Sequence, residues 1–227
     1  MRLEELNWMD VESYLAQDDR LILVIGATEQ HGYLSLLTDA KIPLALADAA
    51  SQKTGVLVAP PLNFGASPYF LAYPGTLSLR ASTLMAAVED LVRSAYQTGF
   101  RRIALLNGHG GNAPCRTRLA EVANDLPEIR LAWYEWWNSH SVEAVAEKHG
   151  LKPAHANWLE AFPFTIVGDL PEESKIPPKV SSILDAKTAR EVYGDGSFGG
   201  LYRTDDTIMD ELFEACLQDI LQILQFE

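Results

Sequence analysis

Four short runs of apolar, often β-branched residues stand out along the N-terminal part of the chain. Leu21-Ile22-Leu23-Val24-Ile25 ends at Gly26, Val56-Leu57-Val58-Ala59 ends at Pro60-Pro61, Ile103-Ala104-Leu105-Leu106 ends at Asn107-Gly108, and Ile129-Arg130-Leu131-Ala132-Trp133-Tyr134 follows Leu126-Pro127. Apolar runs of this length without polar alternation read as strands buried on both faces. Between them the period changes. Leu84, Val88, Leu91, Val92 and Ala95 fall on one helical face, with Ser82 as the expected N-cap, Tyr96 near the end and Gly99 as the stop. Residues 42–53, 112–125, 141–149, 184–193 and 208–225 carry comparable patterns. Strands alternating with helices imply an α/β protein, a three-layer α/β/α sandwich with a mostly parallel central sheet. The stretch of about residues 160–183, with Pro163, Pro171, Pro177 and Pro178, is expected to be an irregular surface or lid segment within one domain spanning 1–227.

Composition narrows the function classes. The 227 residues are 48% hydrophobic, enough to bury a full core without cross-links. A formal charge of -13 repels phosphate, so neither nucleic acid nor an anionic membrane surface is an expected partner. Cys115 and Cys216 are the two cysteines, with no Cys-x-x-Cys spacing, and read as buried thiols in a reducing cytoplasm. The start Met1-Arg2-Leu3-Glu4-Glu5-Leu6 lacks a basic lead and an apolar run, and no segment reaches the roughly 18 apolar residues of a membrane span. The expectation is a soluble, unexported protein.

The polar residues that follow the first and third strands change the picture most. Gly26-Ala27-Thr28-Glu29-Gln30-His31-Gly32, Thr38-Asp39 and Asn107-Gly108-His109-Gly110-Gly111-Asn112 place two acids and two imidazoles beyond the strands' carboxyl ends. That is where open parallel sheets bind ligands. In an extended loop, side chains two apart point the same way, so Glu29 and His31 can converge. Taken singly, Asp39 reads as a helix N-cap, His31 as a hydrogen-bonded loop residue and Glu29 as a surface charge. Taken with His109, they read as oxygen and nitrogen ligands for a divalent metal such as zinc, manganese or iron. The glycines around His109 allow a tight turn and a close ligand approach, but their order is neither a P-loop nor a dinucleotide fingerprint. A nucleotide-phosphate loop therefore stays open as a third reading. His155-Ala156-Asn157-Trp158-Leu159-Glu160 would bring His155 and Glu160 together in a loop or a loose turn. His140 and His149 read as structural. Trp133, Trp136 and Trp137 read as core or subunit-contact aromatics, and Trp136 or Trp158 is a candidate wall of a substrate pocket.

In combination these motifs resemble the creatininase, or creatinine amidohydrolase, family, which also contains formamidopyrimidine deformylases and a peptide-processing protein of mycofactocin biosynthesis. The resemblance covers nearly the whole chain, with Tyr73-Pro74-Gly75-Thr76-Leu77-Ser78-Leu79 and His155-Ala156 with Glu160 adding to the two glycine-containing motifs. It implies a two-metal centre, zinc favoured over manganese or iron. Asp39 would be the shared bridge, Glu29 and His109 ligands of one ion, and His31 a ligand of the other, with Glu160 completing the coordination of that second ion. It also implies His155 in proton transfer, with Glu160 beside it as a catalytic residue. Ser78, Gly110, Gly111 and Trp158 would line the site for a small-molecule amide substrate. A homo-oligomer, commonly a homohexamer, is the implied assembly.

The chain also departs from the family pattern. Gly32-Tyr33-Leu34-Ser35-Leu36 replaces a stretch with a second histidine, and Gly111 stands where creatinine-hydrolysing members carry a glutamate. Asn157-Trp158 and Ala161-Phe162 replace small and hydroxyl residues, which predicts a narrower or drier pocket. The leading expectation is a metal-dependent amidohydrolase acting on a cyclic amide, lactam or formamide through activated water. The alternative is a non-catalytic metal or small-ligand binder of the same fold.

Overall fold

A computed structural model describes residues 1–227. In chain order its helices are α1 (Trp8–Leu15), α2 (Thr38–Thr54), α3 (Ala81–Thr98), α4 (Pro114–Asp125), α5 (His140–Lys148), α6 (Ala186–Tyr193) and α7 (Asp206–Ile223). The strands β1 (Arg20–Ile25), β2 (Leu57–Val58), β3 (Arg102–Asn107) and β4 (Arg130–Glu135) form one sheet of order β2-β1-β3-β4, every pairing parallel. Each lies within one residue of the run that predicts it. The pleat explains why no polar alternation shows. Ile22, Val24, Ala104 and Leu106 point to one face, where α2, α5 and α7 pack, while Leu21, Leu23, Ile25, Ile103 and Leu105 point to the other, beneath α3 and α4. Both faces are therefore apolar core, and the architecture is the expected three-layer sandwich.

Helix boundaries differ where local chemistry differs from the expected capping. α3 starts at Ala81 with Arg80 as its N-cap and no side-chain cap, so Ser82 is an exposed first-turn residue. The Leu79 amide donates to the Gly65 carbonyl at 2.8 Å, which fixes the chain before the helix and sets the earlier start. α2 likewise starts at Thr38, with Leu37 as N-cap, and Asp39 sits inside the first turn instead of capping it. α1 has no strong sequence signal because Trp8 and Met9 are exposed. It is set by Asn7, whose side chain accepts from the Met9 and Asp10 amides. Of the segment of about residues 160–183, Glu160 closes the short turn Trp158–Glu160, and residues 161–183 contain neither helix nor strand. Isolated bridges from Leu34 to Ile166 and from Lys175 to Gly200 pin it to the body of the molecule. No helix is long and apolar enough to cross a membrane.

Trp133, Trp136 and Trp137 do not form an exposed aromatic surface. Trp136 is buried, Trp133 and Trp137 are half-buried, and the large exposed apolar side chains lie elsewhere, including Tyr33, Leu36, Phe164, Ile166 and Val167. Trp136 packs edge-on against Phe162 within the core on the α2 side of the sheet and does not line the cavity.

Two helices leave the crevice in opposite directions. α2 follows β1 on one face of the sheet and α4 follows β3 on the other, and β1 and β3 are neighbours, so the strand order reverses between them. Such a reversal opens a cleft at the strands' carboxyl ends. Close packing seals its floor. A Cβ on Gly108 would lie 1.8 Å from the Asp39 carbonyl oxygen, an approach that only glycine permits. Pro43 inside α2 contributes, since its missing N–H removes the helical donor for that same carbonyl. Gly108→Ala should lower stability by at least about 1–3 kcal/mol through overpacking. Gly110→Ala, where an added methyl meets nothing within 4 Å, should cost markedly less. Chemical denaturation of the two variants checks this, and equal costs would contradict the packing account.

Candidate metal centre

The loop after β1 carries Glu29 and His31, and its extended path is held by the Glu29 amide on the Leu36 carbonyl at 3.0 Å and the Gln30 amide on Thr76 Oγ1 at 3.1 Å. Asp39 enters from the first turn of α2, where the exposed amides of a helix start favour a carboxylate. His109 follows β3. His155 and Glu160 come from a loop beyond α5, far away in sequence. All six are buried or nearly so, and they meet at the mouth of the β1/β3 cleft.

Asp39 lies at the centre of the group. Its Oδ1 is 2.9 Å from His31 Nε2, and its Oδ2 is 3.0 Å from His109 Nδ1. Glu29 Oε1 is 3.5 Å from His109 Nδ1, and Glu160 Oε1 is 3.8 Å from His31 Nε2. Candidate ligand atoms fall into three sets, each within 4.8 Å: Glu29–Asp39–His109 and His31–Asp39–Glu160, which share Asp39, and Glu29–His31–His155. His155 approaches from the side, its Nδ1 3.9 Å from Glu29 Oε1 and its ring centroid 4.5 Å from that of His31.

The outward nitrogens fix the tautomers of the two ligand-like rings. His31 Nδ1 faces the Glu29 carbonyl at 3.2 Å, and His109 Nε2 faces the Ala66 carbonyl at 2.9 Å. A carbonyl only accepts, so each outward nitrogen holds the proton and each inward nitrogen can present a lone pair. Imidazoles that bind metals are oriented by outer hydrogen bonds of this kind. The inward atoms approach one another closely yet make no directed hydrogen bond. His31 Nε2, Asp39 Oδ2 and Glu29 Oε2 are buried without a hydrogen-bond partner. Each such orphan costs roughly 1–3 kcal/mol, and a cation between them would satisfy all of them. The donor set fits a divalent metal.

The protonation pattern of the protein alone agrees. Burial works against charge on His31, but Asp39 and then Glu160 outweigh it and raise the ring to about 10. His109 is raised to about 9 by Glu29 and Asp39, again against burial. Burial pushes Glu29 and Glu160 up to about 7, with Asp39 adding to it. Asp39 is held well below the usual carboxylate range because His31 and His109 outweigh its burial. His155 moves the other way, well below an ordinary imidazole, through burial first and the neighbouring His31 second. The acids thus draw positive charge onto the inward side, as they would draw a cation.

A cavity of about 1330 Å³ opens from this cluster. Glu29, Asp39, His109, His155 and Glu160 lie at its base, with Ser78, Gly110 and Gly111 in its lining. The Ser78 hydroxyl already serves the backbone, accepting from the Ser67 amide at 2.8 Å and donating to the Leu79 carbonyl at 3.0 Å. Trp158 is not in the wall. Its ring is buried in the core and its Nε1 donates to the Lys152 carbonyl at 2.9 Å, because the turn at Asn157 rotates it inward. Phe162 also packs into the core and Ala161 is buried outside the cavity lining, so these residues do not narrow the pocket as expected. Trp137, Phe70, Leu151 and Phe198 supply apolar wall instead. Val180 and Ser182 bring the irregular segment to the cavity.

Gly111 is sterically specified. A Cβ there would lie 1.9 Å from the Ala66 carbonyl oxygen and 2.5 Å from His109 Nε2, so no acidic side chain fits at this position. The cysteines and the other histidines stay outside the centre. Cys115 and Cys216 are free and buried, and burial raises their thiols to about 11 and about 12. His140 is exposed beside Glu143, and His149 meets Glu211 at 2.9 Å. Sequence reasoning missed Ala66 and Ser67, which hold His109, and Phe70, whose ring stacks on His155 with centroids 4.9 Å apart. No local pattern marks them. Gln30 lies inside a motif, but its side-chain contacts cannot be read from the sequence.

The chain is similar to several known proteins in sequence and in fold. The chain is 35% identical over 135 residues to a creatinine amidohydrolase of Pseudomonas putida, 56% of this chain and 51% of that protein. It is 30% identical over 137 residues to a 3-dehydro-scyllo-inosose hydrolase of Thermotoga maritima, 58% of this chain and 44% of the relative. A mycofactocin precursor peptide peptidase of Mycolicibacterium smegmatis is 37% identical over 99 residues, 40% of each chain. The matched stretches thus span about half or less of these relatives, all of them hydrolases by name. Among solved structures, a mutant creatininase complexed with creatine superposes with a TM-score of 0.83 at 22% identity, covering 99% of this chain and 97% of that one. A manganese creatininase superposes at 0.79 and 22% identity, covering 99% and 97%, and a mutant of zinc–zinc type at 0.80 and 23%, covering 99% and 96%. At these identities the structural likeness speaks for the fold. The family profile described as creatinine amidohydrolase matches residues 4–224, and the chain belongs to the creatininase family.

Proposed function

We propose that the chain is a metal-dependent amidohydrolase that cleaves the C–N bond of a small cyclic amide, lactam or formamide. The observation that carries this reading is the buried Asp39 carboxylate, approached from both sides by imidazole nitrogens that make no directed hydrogen bond with it. Glu29, Asp39 and His109 would hold one divalent ion, and His31, Asp39 and Glu160 the second. Zinc is the favoured metal, with manganese or iron as alternatives, since mixed oxygen and nitrogen donors suit all three. The zinc and manganese forms of structurally similar creatininases support the choice. Three protein donors per ion leave positions free for water and substrate, as catalytic sites do.

When bound, such ions supply water acidified toward neutral pH and polarisation of the carbonyl oxygen. The chain's own residues do the rest. Phe70, Phe198 and the cavity wall exclude water around the amide, which strengthens each polar contact at the base. The exposed, open flank at Gly110 lets a substrate approach the centre. His155 turns Nδ1 toward Glu29 and the donor cluster, the position from which a proton or hydrogen bond can reach the substrate nitrogen or oxygen. Gly111 in place of an acid distinguishes this centre from the creatinine-hydrolysing pattern, so creatinine is not the expected substrate. The nucleotide-phosphate reading loses support from Glu29 and Asp39, two acids lining the same cavity as the glycine loop.

Three outcomes test the proposal. Protein purified without added metal and then reconstituted should bind about two zinc equivalents per chain, read by elemental analysis. Asp39→Asn should lose most of that metal, whereas His155→Ala should keep it. Equal loss in both variants would refute the ligand assignment. A screen of lactams, cyclic amides and formamides with the metal-loaded protein separates enzyme from binder, and turnover of none of them would favour the binder.

Proton and metal also compete, and the sign is fixed by the shifts. In the metal-free protein His31 and His109 stand at about 10 and about 9, above the roughly 6.5 of an unfolded imidazole. Their stabilisation is fully present below about pH 6.5 and is lost as pH rises through the folded values. The melting temperature of metal-free protein should therefore fall between pH 7 and 10. Bound zinc should cancel that fall, with a stabilising effect that grows with pH. A flat metal-free profile across this window would contradict the account.

A further inference from the structure

The Gln30 side chain lies between two backbone groups that determine which way its amide points. Its Oε1 accepts from the Gly32 amide at 3.0 Å, and its Nε2 donates to the Gly196 carbonyl at 3.1 Å. Reversing the amide would set acceptor against acceptor and donor against donor at both ends. The second Nε2 proton points at His155 Nε2, 3.0 Å away. An amide proton aimed at a ring nitrogen requires a lone pair there, so the single proton of the neutral ring must sit on Nδ1. Nδ1 is the atom on the Glu29 side.

The surroundings leave the ring and the amide little freedom. Phe70 stacks on the His155 ring at an interplanar angle of 10°, and Phe198 covers it at 4.9 Å. The His155 carbonyl accepts from the Phe198 amide at 3.0 Å. Gly196, with φ at +98°, presses against the Gln30 amide so closely that a Cβ would lie 1.6 Å from Oε1. Gln30 is thus fully hydrogen-bonded, buried and locked.

We infer that Gln30 is a positioning residue that fixes His155 as the Nδ1–H tautomer, making it a standing hydrogen-bond donor to the substrate and not a relay between its two ring nitrogens. The reason is chemical. A relay needs Nε2 to take up a proton as Nδ1 gives one away, but an amide N–H occupies that lone pair and has no proton to deliver at neutral pH. His155 therefore keeps its proton and stabilises negative charge developing on the substrate. This refines the proton-transfer role implied by family resemblance, and it rests on the amidohydrolase reading only for what the donor acts on.

The test is 15N NMR of zinc-loaded protein with labelled histidine, whose five rings make assignment by a His155→Ala variant practical. The Nδ1–H signature of His155 is expected in the unmodified chain, and an Nε2–H signature would overturn the inference without any variant having to fold. Gln30→Met, which keeps bulk but removes all three amide hydrogen bonds, should lose that signature while retaining zinc. Its kcat on any substrate from the screen should fall about 10–100-fold, with KM near that of the unmodified protein. A variant with an unchanged tautomer also overturns the assignment of Gln30. If no substrate is found, the spectra still decide the tautomer, so the two proposals can fail separately.

Discussion

Burying a carboxylate between two imidazoles is the constraint around which this molecule is organised. Asp39 is nearly inaccessible, and an isolated buried charge would be untenable. It survives because the start of α2 offers partial positive charge, and because His31 and His109 approach from opposite sides. That requires α2 to begin against the end of β3, which in turn requires Gly108 beneath the Asp39 carbonyl and Pro43 to free that carbonyl from the helix. The backbone packing and the charge cluster are therefore one problem with one solution.

The sheet supplies the place for that solution. Reversal of strand order between β1 and β3 sends their helices to opposite faces, leaving a cleft into which both following loops project. The β1 loop contributes Glu29 and His31, and the β3 loop contributes His109. Outer hydrogen bonds to the Glu29 and Ala66 carbonyls then orient the rings so that their lone pairs face inward. Backbone carbonyls suit this task because the sheet fixes their positions.

The segment from His155 to Glu160 is built differently. It belongs to no regular element beyond a short turn, and it is held by cross-bonds. Asn157 donates to the Lys152 and Gly199 carbonyls, and Glu160 Oε2 accepts from the Ala156 amide at 2.6 Å. Ala156 adopts a left-handed backbone with φ at 53°, a conformation of modest cost that the surrounding bonds impose. The same turn directs Trp158 into the core and His155 toward the cluster. A substitution pattern that reads as pocket narrowing is thus repacking of the layer behind the pocket.

Much of this was legible from residue order alone. The strand runs are locally continuous and buried on both faces, so hydrophobicity located them to within one residue and the alternation with helices gave the layer order. The four side chains nearest the strand ends could be grouped in advance because a parallel sheet places all its carboxyl ends together. Helix starts were less legible, since backbone bonds to distant loops, such as Leu79 to Gly65, settle α3 where Ser82 offered a local signal. Ser67, Phe70 and the amide of Gln30 were beyond reach for a related reason. Which way a side chain turns, and which nitrogen of an imidazole holds a proton, depend on partners dozens to more than a hundred residues away, and only the folded chain brings those partners within hydrogen-bond distance.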